Sequence, residues 1–121
     1  MNRRQHGKWG EDIALEYLEK KGYITLARSF YSRFGEIDLV MRTKEYLVFI
    51  EVKTRKDKRI AHAREFVSLT KQRKIISAAK YWLMKKPTSL QPRFDVIEVY
   101  AKDGVKTEKP EIIHIENAFG V

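Results

Sequence analysis

The chain has 121 residues, enough for one domain with a true core and too few for two; its 43% hydrophobic content, with six Phe, six Tyr and two Trp, argues against wholesale disorder. Lys plus Arg outnumber Asp plus Glu by 25 to 16, a net charge of +9 with a pI near 9.8; such an excess suits a polyanion such as nucleic acid, because phosphate contacts release counterions, although its plainer use is solubility. The lack of cysteine excludes a disulfide framework and cysteine-ligated zinc or iron–sulfur sites, and His6, His62 and His114 lie too far apart in sequence to argue for a histidine-built metal site.

The opening MNRRQHGKWGEDIALEYLEKK is charged throughout and lacks a secretory apolar segment. The longest dense apolar run, Tyr46 to Ile50, is far short of a membrane span. The expectation is a soluble cytoplasmic protein with no membrane partner. Residues 5–21 read as a helix stopped by Gly22, which suits the left-handed position just past a helix end. Trp9, Ile13 and Tyr17 form an i, i+4 row with Ala14 and Leu18 beside it. Glu11 shares a stripe with Ala14, Leu15 and Leu18 and so lies on or beside the buried face, whereas Glu16 and Glu19 face solvent.

Residues 23–31 are strand-like, and residues 35–55, GEIDLVMRTKEYLVFIEVKTR, supply two further strands. Residues 55–65, RKDKRIAHARE, are polar, basic and poorly periodic, the pattern of a mobile loop. A second helix is predicted over residues 69–86, with Ser68 as N-cap and Pro87 beyond its end. Its buried stripe is predicted to be Leu69, Ile76, Ala79 and Leu83, flanked by Ile75 and Trp82. Residues 93–100, RFDVIEVY, alternate as a strand; Asp103-Gly104 marks a turn, and EIIHIE is a last short strand. The order α-β-β-β-α-β-β implies a single α/β domain with a mixed sheet.

The unusual feature is the acid content of the central strands. If the hairpin turns at Lys44-Glu45, Asp38 faces Glu51 and Glu36 faces Lys53. Side chains two apart share a strand face, so Phe49, Glu51 and Lys53 point one way, and Ile50 and Val52 the other. On the first strand Glu36 and Asp38 share a face opposite Ile37 and Leu39. Opposed carboxylates about 5 Å apart repel unless something lies between them. A divalent cation, Mg²⁺ or Mn²⁺, is one compensation, since Mg²⁺ takes one or two carboxylates plus waters and phosphate. A wet sheet face with a Glu36–Lys53 ion pair is the other.

An Asp on one strand, then Glu-X-Lys on the next, here Asp38 and Glu51-Val52-Lys53, is similar to the D…(D/E)-X-K core of the restriction-endonuclease-like, PD-(D/E)XK, superfamily. The blocks GKWGEDIALEYL, GEIDLV, VFIEVKTR and RFDVIEV, in this order, resemble the small bacterial YraN family, assigned to that superfamily and similar to Holliday junction resolvases. The resemblance runs from about Gly7 to Tyr100. It implies a restriction-endonuclease-like core and metal-dependent endonuclease activity, most naturally on DNA and of a structure-specific kind for branched or damaged substrates. It further implies that Asp38 and Glu51 are metal ligands, that Glu11 is a first-helix acid adding to the metal site, and that Lys53 orients water or stabilises charge growing on phosphate. A charged role suits Lys53, because the nearby acids favour its ammonium form. Gln72 matches the place where related nucleases often set a helix glutamine or lysine beside the Glu-X-Lys strand; an ordinary surface glutamine is the plainer reading. Glu36 and Asp95 read as structural acids. The family usually has Asn where this chain has Ser29, a departure from the pattern beside the site.

Lys71, Arg73 and Lys74 open the second helix against its dipole, an arrangement that suits a helix start facing phosphate. With Arg55, Lys56, Lys58, Arg59 and Arg64 of the preceding loop they form a candidate basic rim that would position phosphates without reading bases. A solvated loop and helix face is the alternative. Junction cutting would call for a homodimer, because two symmetric incisions need two sites. Two other readings stand beside the nuclease: a non-catalytic nucleic-acid-binding protein that retains the fold, and a protein-interaction domain with a vestigial acidic face.

Overall fold

The computed structural model describes residues 3–56 and 67–120. Its elements are helix α1 (Arg3–Lys20), strands β1 (Ile24–Ser32), β2 (Gly35–Arg42) and β3 (Tyr46–Arg55), helix α2 (Leu69–Lys85), and strands β4 (Gln91–Tyr100) and β5 (Glu111–Phe119). A short 3-10 turn, Gly104–Lys106, joins the last two strands. This is the predicted α-β-β-β-α-β-β order. The strands form one five-stranded sheet in sequence order, antiparallel throughout except for the parallel β3–β4 pair bridged by the α2 crossover.

Local chemistry explains the element ends. Gly22 takes φ +95 just past α1, a conformation that costs glycine nothing. Ser68 caps α2 by accepting the Lys71 N–H at 3.1 Å. The β2–β3 turn has the predicted two residues, with Thr43 N–H bonded to the Tyr46 carbonyl at 2.9 Å, and the pairs Arg42–Leu47 through Leu39–Ile50 follow in the expected register. Arg55 is the last residue of β3 rather than the start of a loop, because it stays paired to Tyr100 in the parallel ladder. The remaining loop expectation, over residues 57–65, lies outside the described residues.

Both sheet faces are apolar at the centre, and each is covered by one helix. Leu39, Met41, Val48, Ile50, Ile97 and Val99 pack with Ala14 and Leu18 of α1. Ile37, Val40, Phe49, Phe94 and Val96 pack with Ile75, Ala78, Ala79 and Trp82 of α2. This corrects the expectation of one apolar and one acidic face. It also moves the α2 stripe: Leu69 is 66% exposed, and the buried row runs Ile75, Ala78, Ala79, Trp82. Leu69 lies in the first turn, ahead of the helix's contact with the sheet.

Ile37 and Leu39 are the second correction. Two residues apart on one strand, they pack against different helices. The same change of face occurs on β1, where Arg28 pairs with Asp12 of α1 while Phe30 packs among the α2-side residues. Between these positions Ser29 adopts φ +49, a left-handed conformation uncommon outside glycine. Extending the β1–β2 register puts Ser29 opposite Asp38. A kink crosses both strands at that point.

Candidate active site

The β2–β3 ladder stops at Leu39–Ile50. Beyond it β2 continues to Gly35 paired with β1, and β3 continues to Arg55 paired with β4. The two central strands therefore fork, and the predicted site lies at the base of the fork. Asp38 Oδ2 accepts the Val52 backbone N–H at 2.8 Å, so its side chain takes the place of the lost ladder bond. Two close approaches hold the helices against the fork. A Cβ on Gly10 of α1 would lie 2.0 Å from Thr54 Oγ1 of β3, and one on Gly35 would lie 3.0 Å from the Lys74 carbonyl oxygen of α2. Glycine at both positions permits contacts that any side chain would push apart.

The fork brings Asp38 and Glu51 into hydrogen-bonding contact. Burial, the hydrogen bond to Glu51 and the repulsion of Glu51 and then Glu11 push the Asp38 carboxyl up to about 9, with only the Val52 N–H pulling the other way. Glu51 is 4% exposed. Two lysines flank it: Lys53 Nζ at 3.6 Å and Lys71 Nζ of α2 at 3.5 Å from Glu51 Oε2. Lys53 thus pairs with Glu51 rather than with Glu36, because the fork carries Glu36 away from β3 and leaves it paired across to Tyr31. Glu11 is half-buried on α1, where burial first, then the charges of Glu36, Asp12 and Glu51, raise its carboxyl against the opposing pull of Arg28.

The other candidates separate. Gln72 is half-buried and donates its amide to the Val67 carbonyl at 2.8 Å, fastening the entry to α2. Arg55 Nε lies 3.8 Å from Glu98 Oε2 on β4. Lys56, Arg73 and Lys74 are exposed. Lys58, Arg59 and Arg64 lie outside the described residues. Lys71, expected only on the phosphate rim, stands instead in contact with the acidic pair.

Two buried acids carry more structure than their sequence positions announced. Glu98 is fully buried and accepts from the Tyr100 hydroxyl at 3.2 Å; the signal was its place opposite Lys53 in the parallel ladder, which only the pairing reveals. Asp95, also fully buried, receives Arg93 through Nε at 2.9 Å and through a terminal nitrogen at 2.8 Å, with His114 Nε2 at 2.7 Å and the Asn117 N–H at 2.9 Å. Burial works to raise its carboxyl, and these donors outweigh burial and hold it below the usual range. The expected structural role of Asp95 fits this clamp between β4 and β5.

Among the described residues no three His, Cys, Asp or Glu side chains gather into a ready cage for a metal ion. What the fork offers is a pair. Asp38 and Glu51 in contact cannot both keep full negative charge at low cost, which is part of what pushes the Asp38 carboxyl up. Two carboxylates, with waters and phosphate oxygens completing the octahedron, are an ordinary donor set for Mg²⁺. The residues present fit such an ion.

A family model described as "Uncharacterised protein family UPF0102" matches residues 10–99. The chain is 40% identical over 120 residues to a UPF0102 protein of Caldicellulosiruptor saccharolyticus, covering 98% of this chain and 100% of the relative. It is 41% identical over 117 residues to one of Syntrophomonas wolfei, covering 96% and 98%. A UPF0102 protein of Caldanaerobacter subterraneus is 41% identical over 120 residues, covering 98% of each chain.

Proposed function

The chain belongs to the UPF0102 family, and from the chemistry of its forked strands we propose that it is a metal-dependent nuclease of the restriction-endonuclease-like, PD-(D/E)XK, kind that hydrolyses DNA phosphodiester bonds. One observation carries the reading: Asp38 and Glu51 are held in contact, with Lys53 and Lys71 at 3.6 and 3.5 Å from Glu51. Folding gains nothing from pressing two carboxylates together, whereas an ion bound between them turns the repulsion into affinity.

A phosphodiester is anionic and repels hydroxide; a divalent cation on Asp38 and Glu51 would neutralise phosphate charge and make bound water a stronger nucleophile at neutral pH. Lys53, held by Glu51, would stand beside the reacting phosphate, where it stabilises charge and orients water. Lys71 supplies a second ammonium from α2, a geometry suited to a non-bridging phosphate oxygen. Glu11, across the fork on α1, is close enough to add charge to the ion's surroundings. Arg73, Lys74 and Lys56 remain exposed for phosphates farther along the strand.

The test is cleavage of linear duplex, single-stranded and four-way-junction DNA in Mg²⁺ or Mn²⁺. Wild type cleaves at least one substrate, and Lys53→Ala loses on the order of 10²–10³-fold in rate, as removal of a preorganised charge does. No cleavage by wild type, or undiminished cleavage by Lys53→Ala, removes the catalytic assignment. A non-catalytic nucleic-acid-binding protein is the competing reading, since the net charge of +9 suits nucleic acid with or without catalysis. That protein would show no metal-dependent rise in melting temperature and no effect of Glu51→Gln on it.

A further inference from the structure

Between α1 and the paired ends of β1 and β2 lies a cleft of about 880 Å³, within the range that ligand sites occupy, lined by Gly7, Lys8, Glu11, Arg28, Tyr31 and Glu36 among others; Glu11 links it to the fork, since its charge bears on Asp38 and Glu51. Tyr31 is its conspicuous member. The residue is 71% exposed, and no ring stacks against it among the described residues, whereas Phe30 lies 5.1 Å from Trp82 and Phe34 lies 5.8 Å from Tyr81.

The backbone kink is what delivers Tyr31 to this cleft. Strict alternation from Arg28, which faces α1, would turn Phe30 toward α1 and Tyr31 toward α2. The left-handed Ser29, φ +49, reverses that order: Phe30 packs in the α2-side core and Tyr31 lines the α1-side cleft beside its cross-strand partner Glu36. Backbone strain of this kind, at the position opposite a site carboxylate, sets the ring in the α1-side cleft.

Charge divides the two sides of the fork. The α2 side carries Lys53 and Lys71, which favour phosphate. The cleft carries Glu11 and Glu36 together with Lys8, and Arg28 is engaged by Asp12. With acids and cations near balance it draws a phosphate less than the α2 side does, and its two carboxylates suit a neutral base edge bearing N–H donors. An aromatic face beside such acceptors is a stacking platform for a base. A base inside a duplex has both faces covered, so only an unstacked one can take this place.

We infer that the α1-side cleft receives an unpaired nucleobase stacked on Tyr31, next to a phosphate held at Lys53 and Lys71, so that the substrate is single-stranded or flapped DNA rather than continuous duplex. This rests on the nuclease reading of the same fork, but its test reads binding without cleavage. Wild type, Tyr31→Ala and Tyr31→Phe are titrated in EDTA at low salt with oligodeoxynucleotides carrying 2-aminopurine: a single strand, a flap and a blunt duplex.

Stacking on Tyr31 quenches 2-aminopurine in the single strand and the flap. Tyr31→Ala abolishes the quench and weakens binding of those two about ten-fold or more, the scale of one lost base stack. Tyr31→Phe keeps both, and the blunt duplex binds all three proteins alike. An unchanged quench in Tyr31→Ala, or an equal loss on blunt duplex, overturns the inference. Lys53-dependent cleavage that is indifferent to Tyr31 would leave the nuclease standing without this site. A Tyr31-dependent quench in a protein that cleaves nothing would leave this site standing without the nuclease.

Discussion

Replacing Asp38 by Asn should stabilise the metal-free protein. The wild-type carboxyl has an ordinary value of 3.8 and rises to about 9 in the fold, chiefly through burial and the contact with Glu51. Between these values the folded chain holds a proton that the unfolded chain releases, so stability falls as pH rises from about 4 toward 9. The slope has a ceiling of about 1.4 kcal/mol per pH unit for one whole proton. From the value of 3.8, the penalty at pH 7 is at most about 4 kcal/mol, and at pH 5 under about 2 kcal/mol. Relaxation and water entry at the half-buried carboxyl reduce both, so a gain of about 1–3 kcal/mol at pH 7 is the working expectation. Asn keeps an oxygen for the Val52 N–H and offers Glu51 an amide donor in place of a second charge. Urea melts in EDTA at pH 5, 7 and 8 should show the variant more stable than wild type by a margin that widens with pH. In Mg²⁺ the order should close or reverse, because wild type alone keeps both ligands. A variant less stable than wild type at pH 8 in EDTA, or a margin that does not grow with pH, would refute the account of the pair.

Four further outcomes follow from the packing. Gly10→Ala should cost about 1–3 kcal/mol in chemical denaturation, since its Cβ would meet Thr54 Oγ1 at 2.0 Å, and adding Thr54→Ala should recover most of that loss. Arg93→Ala should cost about 3–5 kcal/mol by leaving Asp95 buried with fewer donors. Because Asp95 is held low, the stability it contributes is present above its ordinary value of 3.8 and fades as pH falls, the opposite sign to Asp38; Asp95→Asn should flatten the acid limb of a stability–pH curve. Ser29→Asn should be neutral or stabilising by up to about 1 kcal/mol, because Asn tolerates the left-handed region better than Ser, and the same melts would detect a loss if φ +49 were not the native state.

An Asn, which the family resemblance would lead one to expect in place of Ser29, would suit a residue that must carry the kink opposite Asp38, because Asn tolerates the left-handed region better than Ser. The site's geometry is present with Ser in place.

Much of the scaffold was legible because its determinants are local. Gly22 and Ser68 mark helix ends through their own backbone and side-chain chemistry. The two-residue turn at Lys44-Glu45 fixes the register from Arg42–Leu47 to Leu39–Ile50, as counting expected. Glu11 and Lys53 were singled out by periodicity, spacing and resemblance. What counting missed begins where the ladder ends. Lys53 turned to Glu51, Ile37 and Leu39 parted to different helices, and Leu69 fell outside the packed row, each because of where strands separate or helices make contact.

The sequence by itself determined the element order, the hairpin register and the set of acids and lysines available for chemistry, because caps, turns and alternation act over a few residues. Tertiary structure alone decided that β2 and β3 fork, that Lys71 reaches Glu51 from α2, and that Tyr31 turns into the α1-side cleft. These depend on which strand each neighbour follows once the central ladder breaks, a competition among pairings far apart in the chain that local pattern does not encode.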